Sequence, residues 1–318
     1  MSKPAHPNGY SLRQLFRTTF EHFITIIMTQ KPSVKKIIAS AMMGVAVTVS
    51  SACSPVKVLN GLVPSDGYHL HANIAYGDLA RQQLDIYQPK HASHALPVVI
   101  FFYGGSWDSG TKADYKFVAE ALASHDIVVV VPDYRVYPDV LFPEFMADPA
   151  RAAQWVKRNI QQFGGDPERV FLAGHSAGAH IAVMLGVNSE YLAQAALKPA
   201  DFRGIIGLAG PYDFLPLKSN RLKEIFGEES QQWKSQPINF VDGTNPPMQL
   251  LVGLKDGTVW PRNTFNLAAK IQQAGGQVEV VEFPKYNHVD MAAKLAKPLR
   301  GDGALLKHVI GFIQRNLD

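Results

Sequence analysis

The chain has 318 residues, 47% of them hydrophobic and 18% charged, with no biased tract. That is enough for one large α/β domain, or at most two small ones, and it sets aside the fibrous and low-complexity classes. The formal charge of +4 is carried by the leader: six Lys/Arg and one acid precede Cys53, leaving 25 basic and 26 acidic residues in a body with no electrostatic ground for binding nucleic acid.

Within that leader, Lys35 and Lys36 precede the apolar run 37–49. The run is shorter than the roughly 18–20 residues a membrane-spanning helix needs. It ends in Ser50-Ser51-Ala52, small residues of the kind an export peptidase accepts, and so reads as a secretory signal peptide. An uncleaved membrane anchor is the alternative. Cys53 is the only cysteine, which rules out an intramolecular disulfide. Its place directly after the small residues resembles the lipidation site of bacterial lipoproteins, although Ser50 stands where an aliphatic residue is usual. The expectation is export to the bacterial cell envelope, with a lipid anchor on Cys53 as membrane attachment or as a free periplasmic protein. Met28, followed by Lys31, Lys35 and Lys36, makes a normal start for such a leader, so translation is read as beginning there. Residues 1–52 are thus assigned to the leader and 53–318 to one catalytic domain.

From about residue 70 onward, short β-rich runs alternate with helical stretches, the pattern of a mostly parallel sheet covered by helices on both faces. Eight strands are expected, at 71–76, 83–87, 98–103, 127–133, 170–173, 204–209, 249–253 and 277–283. The runs Val98-Val99-Ile100-Phe101-Phe102 and Ile127-Val128-Val129-Val130-Val131 are continuously apolar, as strands buried on both faces are. Residues 81–87 alternate instead, which suits an antiparallel strand near a sheet edge. Between strands, 149–163 carries Ala152, Ala153, Trp155, Val156 and Ile160 at helical spacing, and Gly164-Gly165-Asp166-Pro167 stops it. Residues 214–245 are irregular without a long apolar insert, so no large lid domain is expected. A last helix is expected at 305–317.

Gly174-His175-Ser176-Ala177-Gly178 carries the strongest chemical signal. It joins the apolar strand at 170–173 to the apolar helical run at 180–185, the strand–turn–helix setting that a G-x-S-x-G elbow requires. A serine exposed on so sharp a turn needs neighbours without side chains two positions before and after. The helix N-terminus beneath adds positive potential and free N–H groups. A tight structural turn is the bland reading. A serine hydroxyl is a weak nucleophile and needs a base held by an acid, in this fold in the order Ser, Asp, His. His288 lies in a polar loop just past the final strand, whereas His308 falls in the last helix and is read as surface. Asp256, at the end of the strand 249–253, is favoured as the acid over Asp213 and Asp290. The amide of Ala177 supplies one donor to a developing oxyanion, and the loop Tyr103-Gly104-Gly105-Ser106-Trp107 is placed to supply others.

With these motifs assembled, residues 72–317 resemble the esterase branch of the α/β-hydrolases, near the hormone-sensitive-lipase-like carboxylesterases and feruloyl-esterase-like domains. The resemblance runs through Tyr76-Gly77, 81–87, the loop 103–107, Pro132-Asp133-Tyr134-Arg135, Phe142-Pro143 with Asp148, Gly164–Pro167, the elbow, and Val252-Gly253 with Asp256 and Val259. It implies an α/β-hydrolase fold, a triad of Ser176, Asp256 and His288, and an oxyanion hole of the Gly105, Ser106 and Ala177 amides. It also implies that 133–135 and Asp148 brace the loops. Tyr103 stands where the family loop usually has His, and Ser106 where it has a third Gly. The implied activity is that of a serine carboxylesterase acting on a small or medium ester through an acyl-enzyme. No cofactor or metal is expected, since the histidines lack ligand spacing. Trp107 and Trp260 are candidates to line the pocket. An amidase or arylformamidase on the same residues, or a silent binding protein with this fold, are the competing readings. Formyl-amide turnover above ester turnover marks the first, and a Ser176 that resists a fluorophosphonate marks the second.

Overall fold

Runs rich in β-branched and aromatic residues form eight strands in the computed structural model: β1 (Tyr68–Ala75), β2 (Gln83–Pro89), β3 (Leu96–Phe102), β4 (Val128–Pro132), β5 (Gly165–His175), β6 (Gly204–Leu208), β7 (Met248–Gly253) and β8 (Val278–Phe283). The structure describes residues 55–91 and 94–318. Of the chain's two units, Met1–Val58 lies almost wholly outside the described residues, and Leu59–Asp318 carries every element named here. The signal-peptide, Cys53 and Met28 readings all fall outside the described residues.

The strands form one sheet in the order β1-β2-β4-β3-β5-β6-β7-β8. The pairs β1/β2 and β2/β4 are antiparallel and the rest parallel. The main helices are α1 (Lys116–Ala123), α2 (Ala147–Asn159), α3 (Ala177–Val187), α4 (Asn220–Phe226), α5 (Arg262–Gln273) and α6 (Ala304–Arg315). The step from β3 to β4 runs one way across the sheet and every later parallel crossover the other. Right-handed crossovers therefore put α1 on one face and α2, α3 and α5 on the opposite one, and α6 packs against α1. This is the α/β-hydrolase arrangement.

The central strands are buried from end to end: Val128, Val129, Val130 and Val131 have 0% exposure. Each such side chain contributes about 1.5–3 kcal/mol over an exposed one. Helix α3 is apolar but for His180 and wholly buried, so it is held by the sheet and the segment above it rather than by an amphipathic face.

Several boundaries differ from the sequence expectation for local reasons. The strand expected at 170–173 starts at Gly165 instead, because the chain reverses one residue earlier, at Gly164, with φ 76°. Leu96 then donates its amide to the Gly164 carbonyl at 2.8 Å and joins the two strands. Helix α2 begins two residues before Pro149, which a first turn tolerates, and tightens into a 3-10 turn at Ile160–Phe163. Strand β2 is antiparallel, as expected, but its polar side is not solvated. Asp85 is buried, paired at 3.0 Å with Lys112 Nζ and accepting the Asn73 amide at 2.8 Å. Residues 214–245 hold α4 and two 3-10 turns, Glu229–Ser235 and Pro237–Phe240.

Asp148 is the main polar brace of this core, 1% exposed and accepting from Gln82 Nε2, the Arg135 amide, Arg135 Nε and Arg135 Nη2 at 2.8–3.0 Å. Removing one partner of a buried charged pair costs about 3–5 kcal/mol, because the other charge stays behind. Asp148→Asn keeps part of the hydrogen bonding, so a loss of about 2–3 kcal/mol is expected in urea unfolding. A loss under ~0.5 kcal/mol, the range of ordinary surface substitutions, would contradict the assignment.

Candidate active site

Every candidate side chain sits at the C-terminal edge of the parallel strands, where ligands bind in open α/β sheets. Ser176 follows β5, Asp256 follows β7, His288 follows β8, and the loop 103–107 follows β3. The Ser176 backbone lies at φ 56° and ψ −122°, between β5 and α3. A side chain at Gly174 would meet the Gly178 carbonyl carbon at 2.3 Å, and one at Gly178 would meet the Phe102 carbonyl oxygen at 2.0 Å. Only glycine fits at either position, which is the steric condition the motif encodes.

Ser176 Oγ is 2.8 Å from His288 Nε2, and His288 Nδ1 is 2.8 Å from Asp256 Oδ2. A carboxylate accepts only, so Nδ1 carries the proton and donates to Asp256, leaving Nε2 to accept from the serine hydroxyl. Asp256 is 4% exposed, and its Oδ1 accepts the amides of Thr258 and Val259 at 2.9 and 2.8 Å. Its orientation is therefore fixed from both sides. The competing acids are engaged elsewhere. Asp213 Oδ2 accepts from Asn266 Nδ2 at 2.6 Å, and Asp290 Oδ2 accepts the Asn287 amide at 3.0 Å. His308 is exposed on α6.

The loop after β3 runs against the serine. A side chain at Gly104 would lie 3.0 Å from Ser176 Cβ, and Gly105, Ser106 and Trp107 take φ of 142°, 52° and 59°. The amides of Gly105 and Ser106 donate to no protein acceptor among the described residues. Ala177 opens α3, so its N–H has no carbonyl one turn back. Three unspent donors thus flank the hydroxyl. Tyr103, at the position where the resembled family usually has His, is buried and stacks on Tyr134 at 4.5 Å, and its hydroxyl accepts from Arg81 Nη2 at 2.8 Å. Arg81 also donates to the carbonyls of Tyr134 and Gly110, and Tyr134 donates to the Tyr103 carbonyl. The substitution leaves a side-chain brace under the loop and its backbone donors untouched.

A cavity of about 330 Å³ opens beside the serine, walled by Ser106, Trp107, Phe214, Leu222, Val259 and Trp260, with Lys218 and Arg262 at its margin and no carboxylate in its lining. Trp260 is 60% exposed at the mouth, whereas Trp107 is 5% exposed and belongs to the core as much as to the wall. Its indole N–H donates to His180 Nδ1 at 3.3 Å, and it stacks on Phe214 at 5.8 Å. His180 Nε2 in turn donates to the Ser235 carbonyl at 2.7 Å, tying the segment 214–245 to α3. A second hollow, of about 250 Å³ and lined in part by Lys223, Glu229 and Gln232, contains none of the candidate side chains.

Two histidines that sequence reasoning left unused are buried here. Burial, then the nearby charge of His288, pushes the His175 imidazole down from 6.5 to about 3; burial pushes His180 down to about 4. The only sequence signal for either was its place inside or just after the elbow.

A family model, BD-FAE, matches residues 84–271. The chain is 31% identical over 250 residues to an isoprenylcysteine alpha-carbonyl methylesterase of Arabidopsis thaliana, covering 72% of this chain and 58% of that protein. It therefore spans little more than half the length of that relative. It is 30% identical over 230 residues to a kynurenine formamidase of Salmo salar, covering 70% of this chain and 76% of that protein. A truncated carbohydrate esterase from gut microbiota shares its fold, with a TM-score of 0.70 at 21% identity over 80% of this chain and 99% of that one.

Both buried histidines are neutral when folded and titrate near 6.5 when unfolded, so below that pH the unfolded chain binds protons that the folded one does not. Stability is full above about pH 6.5 and falls as pH drops toward 4, by up to about 1.4 kcal/mol per pH unit for each histidine. Urea midpoints between pH 7 and 5 are expected to fall, and His180→Gln to show a shallower slope by one proton. Parallel slopes would contradict this.

Proposed function

The chain belongs to the BD-FAE family, in the esterase branch of the α/β-hydrolases, and on that premise we propose that it is a serine carboxylesterase working through an acyl-enzyme. The observation that carries the proposal is the unbroken line Asp256–His288–Ser176, with both links at 2.8 Å. His288 takes the Ser176 proton as Oγ attacks the ester carbonyl, and Asp256 holds the imidazolium that forms. The resulting oxyanion is met by the amides of Gly105, Ser106 and Ala177, where one donor is worth about 10²–10³ in kcat. His288 then protonates the leaving alcohol, and afterwards activates the water that releases the acid.

The walls of the cavity, mostly aromatic and aliphatic, favour an ester of small or medium size with an apolar portion. The likeness to a kynurenine formamidase supports a second reading, an amidase on the same residues. Side-by-side turnover of p-nitrophenyl esters and an aryl formamide separates the two. We further propose that the protein is exported and lipid-anchored on Cys53. Metabolic labelling with a palmitate analogue in a bacterial host is expected to mark the wild type and not Cys53→Ala; equal labelling would overturn it.

For the triad, a fluorophosphonate is expected to label wild type and not Ser176→Ala. Asp256→Asn is expected to lose about 10⁴ in kcat, with Asp213→Asn close to wild type, in p-nitrophenyl butyrate kinetics. Full activity in Asp256→Asn with loss in Asp213→Asn would reassign the acid.

A further inference from the structure

His175, the variable residue inside the elbow, is 6% exposed and makes two side-chain hydrogen bonds, neither of them to a residue that lines the candidate cavity. Its Nε2 lies 3.0 Å from the backbone carbonyl oxygen of His288, and its Nδ1 lies 3.0 Å from the hydroxyl of Tyr115. That hydroxyl also accepts the Gly104 amide at 3.2 Å. The two imidazoles, His175 and His288, sit 4.9 Å apart between ring centres at an interplanar angle of 38°.

The chemistry of the partners fixes every proton in this line. A carbonyl oxygen can only accept, so His175 Nε2 carries the hydrogen and donates to His288. A neutral imidazole then offers Nδ1 as an acceptor, and the Tyr115 hydroxyl must donate to it. Tyr115 is left with its oxygen to take the Gly104 amide. The buried ring is held neutral, as its depressed pKa of about 3 requires. The result is one directional chain, Gly104 N–H to Tyr115 O–H to His175 Nδ1, and His175 Nε2–H to the His288 carbonyl.

Three separate segments meet in that chain: the oxyanion loop at Gly104, the elbow at His175, and the loop of the base at His288. Resting on the serine-hydrolase reading above, we propose that His175 and Tyr115 are positioning residues that lock the oxyanion loop and the His288 backbone to the elbow in one register. Neither touches the reacting atoms. Among the described residues no other hydrogen bond holds the His288 carbonyl, and the imidazole on that same residue must face Ser176 on one side and Asp256 on the other. The loop that carries it is otherwise fixed beside it, by the reciprocal amide bonds of Asn287 and Asp290, by the Met291 amide on the Asn287 carbonyl, and by the Lys255 amide on the Tyr286 carbonyl. A neutral donor ring here also leaves His288 free to become an imidazolium without a second positive charge beside it.

The test uses the full chain and p-nitrophenyl butyrate. Tyr115→Phe removes one hydroxyl and keeps the ring. His175→Phe removes both polar atoms, and His175→Gln restores a donor at the end of the side chain. Expected is a fall in kcat of about tenfold for Tyr115→Phe and more for His175→Phe, with KM within about twofold. That is the scale of one or two net hydrogen bonds. His175→Gln should recover much of the kcat loss, and the double Phe variant should be no worse than His175→Phe alone, since the groups act as one unit. The pH profile of kcat/KM should shift in the Phe variants and return in His175→Gln. If His175→Phe does not fold, Tyr115→Phe decides by itself. An unchanged kcat in Tyr115→Phe, or no rescue by His175→Gln in folded protein, overturns the proposal. A wild-type chain that neither hydrolyses the ester nor reacts with a fluorophosphonate overturns instead the serine-hydrolase reading on which it rests.

Discussion

A serine held at φ 56° is a strained residue, of a kind that costs about 1–3 kcal/mol and persists only where its surroundings over-determine it. Here they do so through packing. Strand β3 runs so close beneath that only glycine fits at 178, and the first turn of α3 comes so close that only glycine fits at 174. The Ser176 amide is taken by the Leu208 carbonyl of β6 at 2.9 Å, and its own carbonyl accepts from His180 on the helix at 3.1 Å. The turn is thus clamped by β3, β6 and α3, and its strain is supported by the most deeply buried part of the sheet. Exposure of the hydroxyl and the free amide of Ala177 both follow from that clamp.

The remaining groups come from loops that share the same edge of the sheet, and each is fixed by polar contacts of its own. Asp256 is held by two backbone amides before it ever meets His288. The loop 103–107 is braced from below by Arg81, Tyr103 and Tyr134, and from the side by Tyr115. Trp107 and His180 extend this frame to the segment 214–245, which supplies the outer wall of the cavity. The site is therefore built before any substrate enters, which is the condition for electrostatic stabilisation of a transition state without reorganisation at the moment of reaction.

Much of this was legible in the residues. Continuous Val/Ile/Phe runs announce strands buried on both faces, and the elbow motif declares its own turn because glycine spacing and an exposed serine are one steric statement. The order Ser, Asp, His along the chain singled out three side chains that the structure brings together. What was not legible lies in pairings between distant segments. Asp85 reads as the wet side of an alternating strand, because Lys112 and Asn73, which bury it, stand elsewhere in the sequence. His175 reads as the arbitrary residue of a motif, because neither Tyr115 nor the backbone of His288 is visible from its neighbours. Residues 214–245 offer no periodicity, since their short turns are held by the core they cover rather than by propensity.

The central claim, that Ser176 attacks and is acylated, is tested most directly by catching the intermediate. The chain would be mixed with a slowly deacylated ester, quenched in acid within the first turnover, digested, and the peptide masses read. The account predicts the mass of the acyl group on the peptide carrying Ser176, appearing in a burst with the released alcohol. A burst with the acyl group on another residue, or steady hydrolysis with no acylated peptide at any time, would contradict it.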